Sequence, residues 1–130
     1  MEGTFVITRP VFFFSILLTS VAPVAHAEIV ELVWGSGGAF TQQKRIAPGK
    51  FVEVCGKLPA GANVAWSFEA SAPTDFNIHY HQGKDVVFPA KISQVARGQN
   101  TLRVKVEQDY CWMWTNKTAE PVLLKASFQR

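Results

Sequence analysis

The chain has 130 residues, 48% of them hydrophobic and 18% charged, with a formal net charge of +3 and two cysteines. Its positive side chains are scattered, as in Lys44, Lys57, Lys84, Arg103 and Lys125, and the absence of a basic run argues against a nucleic-acid interface.

Residues 1–27 read as an export signal. Arg9 is the only positive side chain there, "VFFFSILLTSVAPV" supplies an apolar stretch, and Ala25, His26 and Ala27 place small residues at the cleavage positions. An uncleaved membrane anchor is the competing reading, but Ser15, Thr19, Ser20 and Pro23 break the run, and no later stretch could span a bilayer. Cleavage after Ala27 leaves residues 28–130, 103 residues of mature chain, enough for one domain but not two. The expected compartment is periplasmic or extracellular. Export makes a Cys55–Cys111 disulfide the default. Such a bridge closes a loop of more than fifty residues and contributes roughly 4 kcal/mol in the chain-entropy picture. Two thiolates kept as soft metal ligands are the alternative.

Short apolar-alternating segments then follow one another. In chain order they are "EIVELVW" (28–34), "KFVEVCG" (50–56), "NVAWSFEA" (63–70), "DFNIHYH" (75–81), "DVVFP" (85–89), "NTLRVKVE" (100–107), "YCWMWTN" (110–116) and "PVLLKASF" (121–128). Gly- and Pro-bearing turns such as "GSGG", "APG", "LPAG", "SAP", "QG" and "RGQ" separate them. Seven or eight strands at this spacing, with no helical period, predict an antiparallel β-sandwich, all-β in class.

Alternation assigns faces, because a half-buried strand keeps its apolar residues on one side. Val64, Trp66 and Phe68 are expected inward, as are Phe76, Ile78 and Tyr80, and Leu102, Val104 and Val106. His79 and His81 then point away from the core beside Asp75 and Asn77. "YCWMW" is apolar on both faces. Tyr110, Trp112 and Trp114 inward is the favoured parity, turning Cys111 and Met113 outward; the reverse would expose two tryptophans.

The order and spacing of these elements resemble a GOLD domain, the β-sandwich of secretory-pathway cargo receptors. "VAWSFEA…DFNIHY" is similar to that family's Trp-x-Phe strand and the alternating strand after it. "YCWMWTN" is similar to its closing element, here Tyr110, Trp112, Trp114 and Asn116. The likeness spans roughly Phe51 to Phe128. It implies a GOLD- or jelly-roll-like sandwich and a disulfide from an early strand to this late one, which falls on Cys55 and Cys111, although the receptor cysteine lies closer to the position of Met113. The receptors' coiled coil, membrane helix and tail are absent, so the resemblance implies no vesicle sorting.

No nucleophile–base arrangement or phosphate loop is present, and the expectation is a non-enzyme. Asp75 with His79 or His81 could make an acid–base pair on one face, but surface Asp–His pairs in strands are common. Two functional readings remain. One is a binding module for a protein or an extended ligand, using the face of Asp75, Asn77, His79 and His81, with Trp112 and Trp114 as a platform if their parity is reversed. The other is a periplasmic copper protein in which His79, His81 and Met113 hold Cu(I), since imidazole with soft sulfur suits that ion better than Zn(II). "NKT" at Asn116–Thr118 matches a glycosylation acceptor, yet a turn role for Asn116 also accounts for it.

Overall fold

The computed structural model describes residues 27–130, together with Gly3; the export signal predicted for residues 1–27 lies outside the described residues except at those two positions. Among the described residues seven strands form: β1 Glu28–Glu31, β2 Ala39–Ile46, β3 Phe51–Leu58, β4 Asn63–Gln82, β5 Asp85–Arg103, β6 Gln108–Thr115 and β7 Val122–Gln129. They lie in one curled sheet in the order β1-β3-β6-β4-β7-β2, with β5 on the other edge of β4. Every pairing is antiparallel except β1 with β3, which is parallel.

The 20-residue β4 turns the sheet into a sandwich. Its first half, Ala65–Ala70, pairs with β7, and its second half, Asp75–His79, pairs with β6 on the same edge. The strand therefore leaves one layer and enters the other, and β5 follows it along the opposite edge with register shifts at the bend. Gln94 takes a left-handed φ of 53° there. The Asp75 carboxylate accepts from both its backbone N–H (3.0 Å) and its side-chain amide (2.9 Å). At the far end Gly83, with φ 61°, opens the two-residue turn that pairs Gln82 with Asp85, where a side chain would be strained.

The core is built from the inward residues of both layers. Trp66, Phe68, Phe76, Trp112, Trp114 and Phe128 are all buried, and aromatic contacts cross from layer to layer. Phe68 meets Trp114 edge-on at 5.5 Å and Trp112 meets Phe128 at 5.1 Å. The indole N–H groups of Trp112 and Trp114 find no acceptor among the described residues. Gly56 leaves room for Leu32, whose Cβ would lie 2.8 Å from any Cβ added there.

Asn116, fully buried at the end of β6, binds three segments together. Its amide donates to the carbonyls of Ile46 (3.0 Å) and Glu120 (2.7 Å), and its carbonyl accepts from the N–H (2.9 Å) and hydroxyl (2.7 Å) of Thr118. The structure thus gives Asn116 a turn role and leaves no exposed amide for a glycan.

Several expectations change. The segments 63–70 and 75–81 are one strand, with "SAP" inside it, and 85–103 is likewise continuous through "RGQ". Residues 39–46 form a strand that was not expected. Leu102 and Val104 are buried as expected, but Val106 is 42% exposed because β5 ends at Arg103 and the alternation ends with it.

Candidate functional site

Both cysteines point outward from neighbouring strands and face each other directly, Cys55 on β3 against Cys111 on β6. They form the disulfide, so neither offers a thiolate. Its cross-strand position fixes the register of the outer face. His79 of β4 sits opposite Cys111, while Asn77 sits opposite Met113, which in turn faces Glu53.

His79 does point away from the core, but it is not a surface residue: only 7% of it is exposed. The ring of Phe88 lies 6.0 Å away and that of His81 stands edge-on at 5.4 Å. Its Nδ1 donates to Oδ1 of Asn77 at 2.7 Å, and its Nε2 lies 3.7 Å from a carboxylate oxygen of Glu53. Burial pulls the imidazole below its ordinary pKa; the Glu53 carboxylate opposes that shift and His81 adds to it. Asp75 takes no part in this cluster. It is held by Gln94 and by Lys117, whose Nζ stands at 2.5 Å, and these bonds keep its carboxyl below the usual range. The Asp75–His79 acid–base pair is therefore not formed.

Around these residues runs an open groove of about 430 Å3, lined by Glu53, Asp75, Asn77, His79, His81, Val86, Phe88, Lys91, Met113, Thr115 and Lys117. Val86 and Phe88 are 42% and 43% exposed, and Lys91 lies over the Phe88 ring at 4.8 Å. His79, His81 and Met113 all line this groove. Trp112 and Trp114 do not. At 0% and 1% exposure they are core, so they form no binding platform, and the parity that buries them is the observed one.

The sequence reading missed Glu53, Val86, Phe88 and Lys91. Glu53 is an outward residue two positions before Cys55, a signal usable only once the Cys55–Cys111 register is known. A larger hollow, about 590 Å3, lies on the outer face of the other layer. It is bordered by small uncharged side chains such as Thr41, Ser67 and Ser127 and holds no titratable group.

No family model matches the sequence, and no curated protein matches it either. Solved structures do match the fold. It is similar to that of periplasmic lysozyme inhibitors. The PliG inhibitor of g-type lysozyme from Aeromonas hydrophila superposes with a TM-score of 0.56 at 12% identity, covering 79% of this chain and 96% of that one. Its Salmonella Typhimurium counterpart gives 0.54 at 14%, covering 80% and 98%. A pre-peptidase C-terminal domain of collagenase from Bacillus anthracis gives 0.59 at 9%, covering 81% and 98%. At these identities the likeness establishes the β-sandwich and nothing finer. None of the three is described as a GOLD domain.

Proposed function

We propose that the chain is an exported, non-enzymatic module that binds a protein partner over the groove between β3, β6, β4 and β5. The observation that carries this reading is the pair Val86 and Phe88, 42% and 43% exposed on a strand whose outer edge is unpaired among the described residues. Exposed apolar residues beside charges of both signs, here Glu53, Lys91 and Lys117, have the make-up of a recognition surface. An open edge strand adds backbone groups that a partner can use. The PliG structures are precedents for this fold in periplasmic proteins that inhibit an enzyme, g-type lysozyme, and they support both the compartment and the partner class.

A g-type lysozyme is therefore the first partner to try. Calorimetric titration of the mature chain with that enzyme should show saturable binding, and Phe88→Ala should weaken it at least about ten-fold, as truncation of an aromatic anchor does. Undiminished binding by Phe88→Ala would place the interface elsewhere on the sandwich. No binding at all would reject lysozyme as the partner.

A further inference from the structure

We propose that the outer face of the β3-β6-β4 layer holds one divalent cation of the zinc class, ligated by Nε2 of His79 and the carboxylate of Glu53, with His81 as the third protein ligand. Nε2 and the Glu53 oxygen stand 3.7 Å apart, too far for an N–H···O hydrogen bond. Two donors about 2.0–2.2 Å from one ion stand about 3.4 Å apart at a tetrahedral angle, and further apart as the angle opens.

The chemistry of the two atoms points the same way. Asn77 Oδ1 accepts from Nδ1, which puts the imidazole proton on that side and leaves a lone pair on Nε2 facing a carboxylate. Two electron-rich atoms, 8% and 15% exposed on their side chains, are then directed at each other with no hydrogen between them. A cation resolves that opposition, and a histidine whose other nitrogen donates to a fixed carbonyl is the usual form of a metal ligand. His81 is exposed and edge-on to His79 at 5.4 Å, so rotation about its side-chain bonds brings a second imidazole to the ion, and water fills the fourth position. The Cys111 sulfur lies within 4.8 Å of a ring nitrogen of His79 and a carboxylate oxygen of Glu53, but the disulfide withholds it. Nitrogen with carboxylate oxygen selects zinc over Cu(I), which favours sulfur. The nearby cations are directed elsewhere, Lys117 to Asp75 and Lys91 over Phe88.

The test is calorimetric titration of ZnCl2 into the mature chain with its disulfide intact, checked by the absence of free thiol. One site per chain is expected. Glu53→Gln and His79→Gln should each weaken it about ten-fold or more and His81→Gln about three-fold or more, with Met113→Leu unchanged. Imidazole 15N shifts on the wild type give an answer that needs no variant to fold: zinc should move Nε2 of His79 while Nδ1 keeps its proton. No saturable zinc binding, full affinity in Glu53→Gln, or a zinc-induced shift confined to His81 would each overturn the proposal. So would Cu(I) binding that depends on Met113 and ignores Glu53.

Discussion

Replacing Asn116 tests the joint that holds the end of β6 to its neighbours. The side chain is fully buried and uses both amide hydrogens and both carbonyl lone pairs. Asn116→Ala removes four hydrogen bonds. The carbonyl of Ile46 loses this buried donor, while the hydroxyl of Thr118 keeps its bond to Glu120. Counting about 1 kcal/mol each for the bonds to Glu120 and from the Thr118 N–H, nothing for the hydroxyl, which turns to Glu120, and about 1–3 kcal/mol for the buried Ile46 carbonyl that loses its donor, the loss is about 3–5 kcal/mol. Asn116→Asp keeps the shape but sets a carboxylate against the carbonyls of Ile46 and Glu120, so it should cost at least as much near neutral pH. The difference should narrow in acid, where a protonated carboxyl regains one donor. Urea unfolding followed by tryptophan fluorescence measures both. A loss below about 1 kcal/mol for Asn116→Ala would show that water replaces the network freely and that the joint is not structural.

The Cys55–Cys111 bridge closes a separation of 56 residues, so the double replacement Cys55→Ala with Cys111→Ala should lower stability by about 4 kcal/mol in the chain-entropy picture; a urea midpoint unmoved by reduction would contradict it. His79, whose imidazole burial holds below its ordinary value of 6.5, takes up its proton more readily in the unfolded chain. Stability from this group is thus full above about pH 6.5 and falls as pH drops from there towards the folded value. Denaturation midpoints measured from pH 7.5 downwards should show this slope, and His79→Gln should flatten it; an unchanged slope would assign the acid sensitivity to other groups.

The sequence was most readable where a strand buries one face under strong alternation. Trp66 and Phe68, Phe76 and Ile78, and Trp112 and Trp114 all lie inward as their parity requires. It was least readable at the edges. In β2 the polar run from Thr41 to Arg45 lies between Phe40 and Ile46, and most of the strand is exposed or half-buried, so hydrogen bonds to β7 hold residues that show little apolar pattern. The middle of β5 fails for the same reason, since "KISQVARGQ" pairs with β4 on one side only. The site shows a different limit. The alternation in "DFNIHYH" gave the direction of His79 but not its burial, because Glu53, Cys111 and Phe88 come from three other strands. Asp75 illustrates the converse: a carboxylate on the right face whose bonds to Gln94 and Lys117 belong to the bend.

The passage of β4 and β5 through both layers also determines how the molecule comes apart. Their residues, 63–103, form a hairpin closed by a two-residue turn, a local contact that loop closure favours early, whereas β2 must find β7 across most of the chain. Neither layer can open alone while this hairpin stays intact, since each contains half of it. The slowest amides to exchange with solvent should therefore lie along β4 in both layers, and the fastest along the four-residue β1. A ligand seated at Phe88 or His79 grips one end of the hairpin. Its protection should extend to Ser67 and Phe68 in the opposite layer, residues that it never touches.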